Sequence, residues 1–154
     1  IAPAAAQDPG FRPPALAPQG PPPIPKGALG WTFCRAGVAE SWIRADIVGT
    51  PEAEAVLAHE AVHREQARQF ESCEAWVRSL VSARRVIDAE IPAACAELNV
   101  TERFRGVGRD SLLTEYALRI ATQSGALENR LDIRLRLSRE CVAPPDRTRS
   151  GAAP

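Results

Sequence analysis

Gly49-Thr50-Pro51-Glu52-Ala53-Glu54-Ala55-Val56-Leu57-Ala58-His59-Glu60-Ala61-Val62-His63 is the stretch that decides the fold. Gly49 closes whatever precedes it, and Thr50 offers a side-chain oxygen to the first unpaired amides of a helix. Pro51 suits the first helical position, where its missing N–H costs nothing, and Glu52 and Glu54 suit the positive end of the helix dipole. The spacing predicts a helix to about Phe70, because Val56, His59, His63, Gln66 and Phe70 recur at three- and four-residue steps on one face. Both histidines therefore lie on the inward stripe.

That placement has chemical content. His59-Glu60-Ala61-Val62-His63 has the His-Glu-x-x-His pattern, and these are the only histidines in the chain. Four residues make slightly more than one helical turn, so both imidazoles project the same way and can share one ion. Glu60 lies about 100° round the helix from His59 and about 60° from His63, within reach of a water on that ion. The pattern therefore nominates His59 and His63 as zinc ligands and Glu60 as a general base. An open catalytic centre takes three protein ligands. Glu90 is the first choice for the third and Glu97 the second; seven residues apart, they share a face of an unbroken helix.

Upstream, Ile43, Ala45 and Ile47 alternate with Trp42, Arg44 and Asp46, which predicts a strand over 41–48. With 31–35 before it and Ala36-Gly37 between, a hairpin is expected. Downstream, Ser72 is a cap for a second helix carrying Trp76, Leu80 and Ile87. Pro92 should kink or break it before helix resumes to about Phe104. Gly106-Val107-Gly108 reads as a loop, and Asp110 or Ser111 as the cap of a helix to about Thr122. Leu131, Ile133, Leu135 and Leu137 alternate as in a strand, but residues 126–130 read as helix, so the last element is taken as helical. The fold class expected is α+β and mostly helical: a short N-terminal β-hairpin, a metal-site helix and three further helical segments.

Outside this region the composition changes. Residues 1–28 hold most of the 14 prolines and are read as a disordered tether; 29–142 form one domain, and 143–154 a disordered tail. The small residues at the start look like the end of a secretory signal, and the Ala/Arg bias points to a bacterium. Four cysteines, Cys34, Cys73, Cys95 and Cys141, are too far apart for a Cys-x-x-Cys site and favour two disulfides, with three pairings open. A secreted or periplasmic location is expected. Lys plus Arg and Asp plus Glu both number 19, so the basic surplus of a nucleic-acid binder is missing, as is any run of apolar residues fit for a membrane span. Asn99-Val100-Thr101 fits the N-glycosylation pattern, and the arginines at 130, 134, 136 and 139 read as a solvated face.

On two motifs the chain resembles small exported gluzincin metallopeptidases: His59-Glu60-Ala61-Val62-His63, and Glu90-Ile91-Pro92-Ala93 in the place of a Glu-x-x-Ala segment. The resemblance covers about residues 51–97. It implies zinc held by His59, His63 and Glu90, peptide hydrolysis with Glu60 as base, and a peptide or protein substrate paired with an edge strand such as 42–48. A monomer is expected. No further histidine exists to stabilise an oxyanion, so Tyr116, or alternatively Arg109, is nominated for that role.

Overall fold

A computed structural model describes residues 25–142. The expected tether before Pro25 and the tail after Val142 lie outside the described residues. Strands β1 (Gly30–Arg35) and β2 (Val38–Ile43) pair antiparallel, Gly30 opposite Ile43 and Arg35 opposite Val38. Ala36 and Gly37 turn the chain with φ of 49° and 81°, the positive values a tight two-residue hairpin turn requires. Five helices follow: α1 (Pro51–Arg68), α2 (Cys73–Ser79), α3 (Ala83–Arg105), α4 (Arg109–Gln123) and α5 (Arg130–Glu140). The α+β, mostly helical class is therefore as expected.

The hairpin is shorter than the alternation predicts. β2 runs over Val38–Ile43, starting and ending before the stretch read as strand; Arg44 N still donates to the Leu29 carbonyl at 2.9 Å, and the chain then turns away. Residues Ala45–Ile47 turn as a 3-10 helix instead, and Ile47 still reaches the interior to pack with Ala53 and Val56. Thr50 caps α1 as read, its hydroxyl accepting from Ala53 N at 3.3 Å.

Pro92 does not break its helix. It lies inside α3 on the exposed face, where the Asp88 carbonyl left without an amide partner can be hydrated. The break comes earlier, between α2 and α3. There the Ser79 hydroxyl donates to the Trp76 carbonyl at 2.6 Å and Ser82 caps Arg85 N at 3.4 Å, local bonds that compete with helix continuation. α3 ends at Gly106, whose φ of 62° gives the left-handed cap. Neither Asp110 nor Ser111 caps α4: Gly108 precedes it without a side-chain bond, and Asp110 pairs with Arg134.

The main core joins α3, α4 and α5 through Ile91, Leu98, Leu112, Ile120, Ile133 and Leu137. α1 packs along α3, whose Ala93 and Ala94 are fully buried, and the hairpin covers the other side of α1. Disulfides join Cys34 to Cys73, tying β1 to α2, and Cys95 to Cys141, tying α3 to the end of α5. Two such bonds fit an oxidising compartment. Among the described residues no helix is long and apolar enough to cross a membrane.

Candidate metal centre

The α1–α3 interface carries the site. His59 and His63 are 8% and 7% exposed, and their Nε2 atoms stand 3.1 Å apart. Glu90, reaching across from α3, places Oε2 3.4 Å from His59 Nε2 and Oε1 3.4 Å from His63 Nε2. His59, His63 and Glu90 thus form a group that could hold a metal ion.

Hydrogen bonding on the far side of each ring decides where its lone pair points. Gln66 donates from Nε2 to the Ala89 carbonyl at 2.8 Å, which leaves its Oε1 to accept from His63 Nδ1 at 2.9 Å. His63 in its neutral form therefore presents a bare Nε2 to the cluster. His59 Nδ1 lies 2.9 Å from Glu97 Oε2, at an angle short of a well-formed hydrogen bond but with the carboxylate directly against that nitrogen. A proton on Nδ1 is favoured there, so loss of the Nε2 proton to an incoming ion would turn the His59 lone pair inward as well. The two Nε2 atoms and the Glu90 carboxylate then face one another, and Glu90 Oε2 is buried there with no hydrogen bond.

A buried carboxylate there calls for positive charge beside it, either a proton on His59 or a bound cation. A tetrahedral ion with bonds of about 2.0–2.1 Å sets neighbouring donor atoms about 3.3–3.4 Å apart. The two Nε2 atoms are 3.1 Å apart, and each has a Glu90 oxygen at 3.4 Å, Oε2 beside His59 and Oε1 beside His63, so the carboxylate spans the pair at separations near that spacing. Electrostatics agree with geometry. Burial works to lower the His59 pKa, but Glu90 and Glu97 against the ring raise it to about 9. Burial likewise works to raise Glu90, and the two imidazoles hold it well below the usual carboxylate range. A field that favours a proton on His59 favours positive charge in general.

The remaining nominated residues take different places. Glu60 is buried at 6% exposure under the hairpin, where Thr32 Oγ1 donates to its Oε2 at 2.6 Å. Thr32 is in turn 2.9 Å from Ser41 Oγ across the strands. Gly30 is required beside it: a Cβ there would stand 3.0 Å from Glu60 Oε1 and 2.4 Å from Val56 Cγ1. Glu97 faces the outer nitrogen of His59, not the converging pair. Tyr116 is 3% exposed, its hydroxyl 3.0 Å from Thr101 Oγ1, and burial together with the nearby Glu97 charge pushes its pKa up. Arg109 is bonded to Glu102 and to the Cys141 carbonyl. Thr101 is buried within α3, so the glycosylation pattern at Asn99 sits inside a packed helix.

Sequence reasoning missed three contributors. Trp76 brings its ring to 5.7 Å from that of His63, Thr32 anchors Glu60, and Arg119 on α4 forks Glu97. Gln66 was visible as a member of the inward stripe, but its role as the His63 partner was not. No known family model matches the chain, and no curated protein or solved structure matches it.

Proposed function

We propose that this chain is a zinc-dependent metallopeptidase, with His59, His63 and Glu90 holding the ion and Glu60 acting as general base. The observation that carries the reading is the convergence of two Nε2 atoms 3.1 Å apart with the Glu90 carboxylate, which sets one oxygen 3.4 Å from each and leaves Oε2 buried without a hydrogen bond. Zinc at that point supplies Lewis-acid polarisation of a substrate carbonyl and lowers the pKa of its water towards ~7. Glu60, next to His59 on α1, takes the proton from the attacking water and passes it to the leaving amine. Thr32 fixes one oxygen of that carboxylate, and the absence of a side chain at Gly30 leaves space for the other. Gln66 and Glu97 hold the two rings. With two disulfides in the domain, a secreted or periplasmic protein acting on peptides or proteins is the fitting context.

A second reading has its own support. Cavities lie between the hairpin and the α1–α2 corner and between β1 and α2, and His59, His63 and Glu90 line neither of them. Under this reading the domain binds metal without turnover. Glu60→Gln separates the two. Zinc content and cleavage of a mixed peptide library, followed by mass spectrometry, are measured on wild type and variant. The peptidase reading expects about one zinc in both and a loss of cleavage of at least ~10²-fold in the variant, the usual contribution of a general base. Zinc-loaded wild type that leaves the library intact refutes it in favour of the binding module.

A further inference from the structure

We infer that Arg119 is a positioning residue for the metal centre: by gripping Glu97 it holds that carboxylate on His59 and so sets the affinity of the His59–His63–Glu90 group for a divalent cation. The inference rests on the metal-site part of the proposed function and is independent of catalysis.

Arg119 Nη1 donates to Glu97 Oε1 at 2.9 Å, and Nη2 donates to Oε2. Glu97 Oε2 is the same oxygen that stands 2.9 Å from His59 Nδ1. One carboxylate oxygen therefore lies between a guanidinium on α4 and a ligand ring on α1. The guanidinium cannot easily swing away. Its Cζ sits 4.4 Å from the centroid of the Tyr116 ring, three residues earlier on the same helix. That ring is itself pinned, because the Tyr116 hydroxyl is 3.0 Å from Thr101 Oγ1, which donates to the Glu97 carbonyl at 2.9 Å. Backbone and side chain of Glu97 are thus both tied into one network of α3 and α4.

The charges explain why an arginine belongs here. Glu90 and Glu97 both face His59, so without a counter-charge two buried carboxylates would crowd one imidazole. Arg119 neutralises the outer one, and Glu90 is left as the carboxylate whose charge an ion must meet. A bidentate fork also fixes the plane of Glu97, which a single ammonium would not do. Partners that orient a ligating histidine typically change metal affinity 10–100-fold when removed.

The probe is Zn2+ alone, in competition with a chromophoric chelator, with Co2+ absorption as a second readout and circular dichroism to check folding. Arg119→Met should weaken Zn2+ binding about 10–100-fold and alter the Co2+ visible bands, with Arg119→Lys lying between it and wild type. If Arg119 acts through Glu97, then Arg119→Met added to Glu97→Gln should weaken binding no further than about twofold. A folded Arg119→Met or Arg119→Lys protein with the wild-type dissociation constant and the wild-type Co2+ spectrum overturns the inference while leaving the metal site intact. Additive losses in the double variant also overturn it. A wild type that takes up no Zn2+ refutes the site itself, and the inference with it.

Discussion

Zinc should stabilise this fold by an amount that can be worked out beforehand. An ion that binds the folded state alone adds RT ln(1 + [L]/Kd), which at 100 times Kd is about 2.7 kcal/mol. The unfolded chain is a poor competitor for structural reasons. Glu90 belongs to a different helix from the histidines, and unfolding disperses the three donors. The thiols, the other groups that bind zinc in unfolded chains, are all in disulfides. For a packed region of roughly 120 residues the unfolding entropy is about 0.25 kcal/mol/K, so the increment corresponds to a rise in Tm of about 11 °C.

The assay is calorimetric or circular-dichroism melting of chelator-treated protein with and without zinc, at a concentration fixed from a separately measured Kd. His63→Ala removes one donor and should reduce the rise to about 2 °C or less at the same zinc concentration. Glu60→Gln should keep the full rise, since Glu60 faces Thr32 and is outside the donor group. A wild-type rise below about 2 °C, or an equal rise in His63→Ala, would refute the reasoning: the first says the three donors do not bind an ion, the second that the ion binds elsewhere.

Two further predictions concern the scaffold around the site. Gly30→Ala places a Cβ 2.4 Å from Val56 Cγ1, so the hairpin must shift off α1; a loss of about 1–3 kcal/mol is expected in denaturant titration. Pro92→Ala restores an amide donor to an exposed helix position, and the same titration should show a gain of up to about 3 kcal/mol with zinc affinity unchanged.

How much of this could be read from the chain depends on the range over which each determinant acts. The Thr50 cap, Pro51 and the four-residue histidine spacing act within one or two helical turns, and α1 with its two ligands follows from them. Glu90 could be nominated because it lies on the next long helix, but Glu90 and Glu97 share a face of α3, and only the depth at which α3 crosses α1 decides which carboxylate meets Nε2 and which meets Nδ1. Local rules misled where packing outweighed them. The period-two pattern of Ile43, Ala45 and Ile47 is real, yet a strand needs a neighbour, and the last backbone bond across the hairpin is from Arg44 N to the Leu29 carbonyl, before the 3-10 turn of Ala45–Ile47. Pro92 breaks the local rule for helices, and is tolerated because its face of α3 meets solvent while Ile91, Ala93 and Ala94 bury the other. Arg119 is the extreme case. Tyr116, three residues earlier, is its one local mark, and Arg119 gains its place only when α4 docks on α3 and sets the guanidinium on Glu97. The two histidines and the Gln66 that orients His63 are therefore legible as spacing within one helix, whereas the choice of Glu90 as donor and the hold of Glu97 and Arg119 on His59 belong to the packing of three helices.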